Sequence, residues 1–257
     1  MHPDWKARYD VMLDAAREAG NLALKYFDTG IAVETKADRS PVTIADRDAE
    51  KLLRATLTRY FPGDGFLGEE FGEQDGTTGF RWIIDPIDGT RSFVRNIPIW
   101  ATLVGLEFQG KQIAGLAYIP TWGQMFHALS GCGAFRDERR ISVSSTEKLA
   151  QSLVSYSSFG FFKSPDSGPA FLEMLKQTER SRSYADFYGF VLVAQGSVDL
   201  MVDYGVHIWD VAGLKVIVEE AGGKFTDWQG DPRIDRPDVI ASNGKVHDAA
   251  LTILKKG

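Results

Sequence analysis

At 257 residues, the chain has room for one large domain, or for two halves sharing a core, and can bury most of its apolar surface without covalent staples. Its 44% hydrophobic and 25% charged residues are those of a soluble globular protein, and no apolar run approaches the roughly 20 residues of a membrane span. The formal net charge is −6 and the basic residues are scattered, with Arg139-Arg140 and Lys255-Lys256 the notable pairs, which argues against nucleic acid as a partner.

Cys132 is the single cysteine, so no intrachain disulfide forms, in keeping with a reducing compartment. The polar stretch Met1 to Asp10 lacks the apolar core of a signal peptide, and the expected location is the cytoplasm. From there, apolar Tyr9, Met12, Ala16, Ala19 and Ala23 recur at helical spacing and predict a helix over about Trp5 to Tyr26, stopped by Gly30. A second helix is predicted over Ile44 to Tyr60, with Thr43 as its N-cap and Pro62-Gly63-Asp64-Gly65 as its end. Trp82-Ile83-Ile84 reads as a short buried strand. Ile99 to Phe108 and Gln112 to Ile119, joined at Gln109-Gly110-Lys111, read as two strands of a meander, and Gly131-Cys132-Gly133 as a further turn.

Beyond about residue 145, strands and helices alternate. Strands are predicted at Leu153 to Tyr156, Leu200 to Val202 and Val239 to Ala241. Helices are predicted at Phe171 to Gln177, Tyr188 to Gln195, Val211 to Ala221 (closed by Gly222-Gly223) and Val246 to Leu254. The pattern divides the chain into residues 1–145, an α+β half with an antiparallel sheet, and residues 146–257, an α/β half with a mixed or parallel sheet.

The chemistry centres on Asp85-Pro86-Ile87-Asp88-Gly89-Thr90. Two carboxylates three residues apart follow a buried strand in a segment bent by Pro86 and Gly89, and oxygen ligands suit hard cations such as Mg²⁺, Mn²⁺ or Ca²⁺. A pair of turn aspartates would look the same. Glu69-Glu70 reads equally as a solvated acidic pair, and Asp210 as the N-cap of the helix that ends near Gly222. Other chemistries fit less well: no Walker loop is present, Gly131-Cys132-Gly133 lacks the third glycine of a dinucleotide motif, and His2, His127, His207 and His247 are too isolated for a zinc site.

Taken together, Gly68-Glu69-Glu70, Trp82-Ile83-Ile84-Asp85-Pro86-Ile87-Asp88-Gly89-Thr90, Trp209-Asp210-Val211-Ala212-Gly213 and Val42-Thr43-Ile44-Ala45-Asp46 resemble the inositol monophosphatase superfamily, over nearly the whole chain. The resemblance implies a layered α/β fold of alternating helices and sheets, often dimeric, with two or three Mg²⁺ per site and Mn²⁺ as a substitute. It implies that Glu69, Asp85, the Ile87 carbonyl, Asp88 and Asp210 hold metal. Asp46, Thr90 and Glu69 would serve catalysis, with Asp46 on Thr90 near a weaker metal. Gly89 and Thr90 would offer N–H groups to the phosphate, and Asp210 would also face the substrate. Most metal ligands then fall in residues 1–145, while Asp210 and the substrate-side residues come from 146–257. Bound cations would draw in a phosphate dianion and acidify the attacking water. A silent regulatory relative would be expected to carry a substituted ligand, and Glu69, Asp85, Asp88, Thr90 and Asp210 are all intact.

For the ester, Gly63 to Gly72, Arg91 to Trp100 and Ala185-Asp186-Phe187-Tyr188 resemble the histidinol-phosphate phosphatase branch. The resemblance implies that Asp186 and Asp203 bind the amine and imidazole of histidinol phosphate. Without it, the same residues read as a helix cap and a strand-end turn. Ala185 departs from the glycine usual in that branch, and Gly205-Val206-His207-Ile208-Trp209-Asp210 looks as much like an inositol phosphatase. Inositol 1-phosphate is the alternative, with a nucleotide 3′-phosphate behind it.

Overall fold

A computed structural model describes residues 2–36, 40–162, 168–184 and 186–255; Ala185 and Lys256 lie outside these. Helix α1 (Pro3–Leu24) is followed by β1 (Val33–Thr35), β2 (Pro41–Thr43) and α2 (Ile44–Tyr60). Then come β3 (Gly65–Gly68), β4 (Gly72–Gln74), β5 (Phe80–Asp88) and the single turn α3 (Thr90–Phe93). The meander continues as β6 (Ala101–Phe108), β7 (Lys111–Ile119), β8 (Gln124–Leu129), β9 (Gly133–Arg136) and β10 (Arg139–Ile141). The remainder runs β11 (Leu153–Ser155), α4 (Gly168–Gln177), β12 (Arg180–Arg182), α5 (Asp186–Ala194), β13 (Leu200–Tyr204), α6 (Ile208–Glu220), β14 (Lys224–Thr226), β15 (Asp238–Ser242) and α7 (His247–Leu254).

The expected α/β layering is present. An eight-stranded sheet, ordered β10-β9-β8-β7-β6-β5-β3-β4, is antiparallel except where β3 runs parallel to β5. A five-stranded mixed sheet is ordered β12-β11-β13-β15-β14. Helices α1 and α2 cover one face of the large sheet through Met12, Ala16, Ala19, Ala49, Leu53 and Leu57. Helices α5 and α6 fill the space between the two sheets, and α4 and α7 cover the outer face of the small one. The order is thus helix, sheet, helix, sheet, helix. The middle helices are largely apolar because both sides are covered; in α6, residues Val211 to Val218 are all buried, Lys215 among them. No helix among the described residues is long and apolar enough to cross a membrane.

The local reasons for the site-bearing elements are specific. Thr43 caps α2 as expected: its Oγ1 accepts the Ala45 N–H at 3.1 Å, and Asp46 Oδ2 accepts the Thr43 N–H at 2.8 Å. β5 runs past the three residues expected of it, through to Asp88, with a register shift against β6: Asp85 pairs with Leu103 and Asp88 with Ala101. In a regular strand, residues three apart face opposite sides. One inserted residue reverses that parity, so the bulge aims Asp85 and Asp88 at the same cleft. Helix α6 begins at Ile208, earlier than the expected Val211. His207 therefore takes the N-cap, and Asp210 stands at the third helical position rather than at the cap. The strand expected at Leu200 to Val202 continues to Tyr204, so Asp203 is a buried strand residue and not part of a turn.

Gly213 lets α6 lie directly on the large sheet. A β-carbon on Gly115 of β7 would overlap the Gly213 carbonyl, and one on Gly213 would sit 2.7 Å from the Val104 carbonyl oxygen of β6. Gly115→Ala is therefore expected to push α6 off the sheet and to destabilise the fold by about 2 kcal/mol, in the range of other over-packed cores. Urea unfolding would read this directly; an unchanged midpoint would rule out that packing constraint.

Candidate metal centre and active site

A cleft of about 370 Å³ opens where β5 ends and α3 and α6 begin. Glu69, Asp85, Ile87, Asp88, Gly89, Thr90, Asp186 and Asp210 all line it, so residues far apart in the chain are brought to one place. One oxygen from each of Asp85, Asp88 and Asp210 lies within 4.8 Å of the others. Each side chain is oriented by a backbone donor. Asp85 Oδ1 accepts the Ile87 N–H at 3.0 Å, Asp88 Oδ2 the Phe187 N–H at 2.8 Å, and Asp210 Oδ2 the His207 N–H at 2.7 Å.

These carboxylates repel one another in a place largely closed to water. Burial first, then the neighbouring charges of Glu69, Asp88 and Asp210, pushes Asp85 well above the usual carboxylate range. Burial and the charges of Asp186 and Asp210 do the same to Asp88. Burial raises Asp210 to about 8, against the lowering effect of its bond from His207. Three oxygens that converge and resist ionisation are the donor set of a hard divalent cation, which would supply the missing positive charge. The residues present therefore fit Mg²⁺ or Mn²⁺.

Glu69 borders the same cleft, but its carboxylate is not among the three converging oxygens: Lys36 Nζ donates to Glu69 Oε1 at 2.7 Å and also to Glu70. Burial alone would lower the Lys36 pKa, but the bonds to Glu69 and Glu70 prevail and raise it. Glu70 itself is raised to about 7, chiefly by burial. Thr90 Oγ1 donates within reach of both the Ile87 carbonyl (3.0 Å) and Asp46 Oδ1 (3.2 Å), so Asp46 stands behind Thr90. The chain turns into α3 at Gly89, whose φ is 88°.

A smaller pocket of about 90 Å³ adjoins the cleft and shares Asp88, Asp186 and Asp210 with it. Asp203 lines this pocket, is almost fully buried, and accepts bonds from the Ser157 hydroxyl and, at 2.9 Å, from the Tyr204 N–H. Burial raises its carboxyl to about 7. Asp186 opens α5 with φ 43°, a left-handed conformation uncommon for a residue with a side chain. Lys36, Ser157 and the Phe187 N–H carry no local signal. Each reaches its partner by tertiary contact across tens of residues, so the sequence offered no way to find them. His207 bonds through its backbone and stacks its ring on Trp209, with centroids 5.0 Å apart.

Comparison with known proteins accords with this geometry. The model of the inositol monophosphatase family matches residues 4–256. The chain belongs to that family. Its coarse activity follows from the family and the acidic cluster: it is a metal-dependent phosphomonoesterase. Among relatives, a Mycobacterium tuberculosis protein called histidinol-phosphatase is 40% identical over 232 residues, covering 88% of this chain and 89% of its own. A Mesorhizobium japonicum inositol-1-monophosphatase is 32% identical, with 97% of each covered. The crystal structure of the extragenic suppressor protein suhB from Bartonella henselae superposes with a TM-score of 0.89 at 32% identity, covering 96% of this chain and 98% of that one.

The raised carboxyls set the pH response of the metal-free family member. A folded pKa above the unfolded 3.8 stabilises the fold at low pH, and that contribution is lost as pH rises toward about 8. His247 acts in the opposite sense: burial, aided by Lys224, lowers it to about 4, so its contribution is lost only below its ordinary 6.5. From pH 6.5 to about 8, the melting temperature of chelator-treated protein is thus expected to fall, and saturating Mg²⁺ to remove most of that slope. A melting temperature that climbs with pH in the metal-free form would contradict the assignment.

Proposed function

We propose that this protein hydrolyses histidinol phosphate to histidinol and inorganic phosphate. The observation that carries the reading is the second acidic pocket: Asp186 and Asp203 sit immediately beside the metal-fit cluster. A phosphate ester whose other end is cationic matches a cleft that would be positive at one side, once loaded, and acidic at the other. Histidinol phosphate has that polarity, with an amine and an imidazole. Inositol 1-phosphate offers only hydroxyls, which would leave the buried Asp203 carboxyl without a countercharge. The higher identity to a histidinol-phosphatase than to an inositol-1-monophosphatase supports the same choice.

In this reading Glu69, Asp85, the Ile87 carbonyl, Asp88 and Asp210 hold the metals, which, when bound, supply the positive charge that attracts the phosphate and acidify the attacking water. Asp46 holds the Thr90 hydroxyl, and Thr90 with Glu69 orients that water. The N–H groups of Gly89 and Thr90 face the phosphate oxygens. Asp186 and Asp203 accept hydrogen bonds from the amine and the ring and so fix the leaving alcohol. Lys36 occupies Oε1 of Glu69, which leaves Oε2 to serve as the ligand.

Three measurements test the proposal. Mg²⁺-dependent phosphate release should be fastest with histidinol phosphate when it is compared with inositol 1-phosphate and adenosine 3′,5′-bisphosphate; faster release from inositol 1-phosphate would transfer the assignment to that substrate. Asp88→Asn should fold normally and lose more activity than the roughly tenfold to hundredfold typical of an outer partner of a metal site. Asp203→Asn should reduce kcat/KM for histidinol phosphate about tenfold or more, the worth of a hydrogen bond to a charged group, while an aryl phosphate is much less affected. Equal losses on the two esters would remove Asp203 from substrate recognition.

A further inference from the structure

Asp46, Glu50 and Arg54 lie four residues apart on α2, so they form one stripe along the helix. Each reaches a different point of the site. Asp46 holds Thr90, just beyond Asp88. Glu50 Oε2 accepts the N–H of Glu70 at 2.8 Å, next to Glu69. Arg54 donates to the Gly72 carbonyl on the far side of the same turn, and its Nε donates to Glu50 Oε1 at 2.8 Å. Glu50 is fully buried, and no part of the proposed chemistry uses it. Arg54 also stacks over Phe66, 5.2 Å from the ring centroid, at the other end of β3.

The contact is close as well as polar. Gly68 presses against the Glu50 carboxylate so tightly that a β-carbon there would overlap both oxygens. From the opposite side, the Glu69 N–H donates to the Ile84 carbonyl at 3.1 Å, beside Asp85. The backbone of Glu69 is therefore clamped between β5 and α2. Burying a carboxylate and a guanidinium is costly unless each finds its partners. Here the two bond each other within α2, and the second oxygen of Glu50 and an outer nitrogen of Arg54 find their partners on the Gly68-to-Gly72 turn.

We infer that Glu50 is a positioning residue: through the Glu70 N–H and Arg54, it locks Glu69 at a fixed distance from Asp85 and thereby sets the affinity of the site for divalent metal. This rests on the reading of Glu69 as a metal ligand. The stripe acts as a rigid spacer, since one helix face fixes Thr90 at one end and the Glu69 turn at the other. The carboxyl of Glu50 itself stays away from the cation.

Calorimetric titration of Mg²⁺ into chelator-stripped full-length protein tests this without relying on turnover. Glu50→Ala is expected to weaken Mg²⁺ binding about tenfold or more, as loss of an outer partner does. Gly68→Ala should weaken it similarly by driving the turn away from Glu50. Glu50→Gln keeps an acceptor for the Glu70 N–H and should recover most of the affinity. In the double variant Glu50→Ala/Gly68→Ala, the added methyl fits the vacated space, so the two losses should be far from additive. Leu53→Ala, one turn along α2 in the core, should lower the melting temperature and leave Mg²⁺ affinity unchanged. If Glu50→Ala does not fold, Gly68→Ala and Glu50→Gln carry the test.

Wild-type affinity in Glu50→Ala or Gly68→Ala would overturn the inference, as would an equal loss in Leu53→Ala. Glu69→Gln in the same titration separates the two readings. Weakened binding there, with unaltered binding in Glu50→Ala, would sink only the spacer. Unaltered binding in Glu69→Gln would sink the ligand assignment on which the spacer rests.

Discussion

Three aspartates placed within 4.8 Å of one another, in a site partly closed to water, dominate the physics of this protein. Burial first, and then the neighbouring carboxylates, displaces Asp85, Asp88 and Asp210 upward, so ionising all three is costly without a cation. The fold opposes this repulsion with rigid elements. Asp85 and Asp88 leave the end of a strand held on both sides by neighbours, and Asp210 stands in the first turn of a helix buried on every side. Each is further oriented by a backbone N–H. The result is a set of oxygens that the backbone itself aims at one point.

The same logic explains why the surroundings are so tightly fastened. The bulge in β5 turns two carboxylates to one side, and the Gly213 contact brings α6 close enough for Asp210 to join them. The capping box of α2 uses Asp46 twice: one oxygen closes the helix, and the other receives Thr90. Such double use ties the ordinary grammar of helix starts to the site, so a change made for stability at Thr43 or Asp46 is also felt at the cleft. On the other side, Asp186 and Asp203 extend the acidic character into an adjoining pocket that shares Asp88, Asp186 and Asp210 with the cleft.

Much of the architecture was legible because it is local. The apolar spacing around Met12, Ala16 and Ala19 and the Thr43 cap mark α1 and α2. Gln109-Gly110 marks the turn between β6 and β7, and Gly222 the end of α6. Errors arose where tertiary pairing extends an element past its own pattern. β5 continues through Pro86 because β6 keeps pairing with it across the bulge. β13 continues past Val202, where the apolar run stops, because β15 pairs with it as far as Tyr204 and buries Asp203 within the strand. Short strands such as β3 and β8 exist because the large sheet offers them partners.

The sequence by itself determined the family and the layered class of the fold, and it singled out Asp85, Asp88 and Asp210, which the fold brings together, because those features are written in contiguous motifs and in periodicities of two and about four residues. Only the tertiary structure decided that Lys36 neutralises Glu69 and Glu70, that Ser157 holds Asp203, and that Glu50 braces the turn that carries Glu69. These pairs are separated by 20 to 46 residues. Nothing in the local chain encodes which distant charge a buried carboxylate will meet; the packing of sheet on helix makes that choice, because a buried charge must find a partner wherever the fold can bring one.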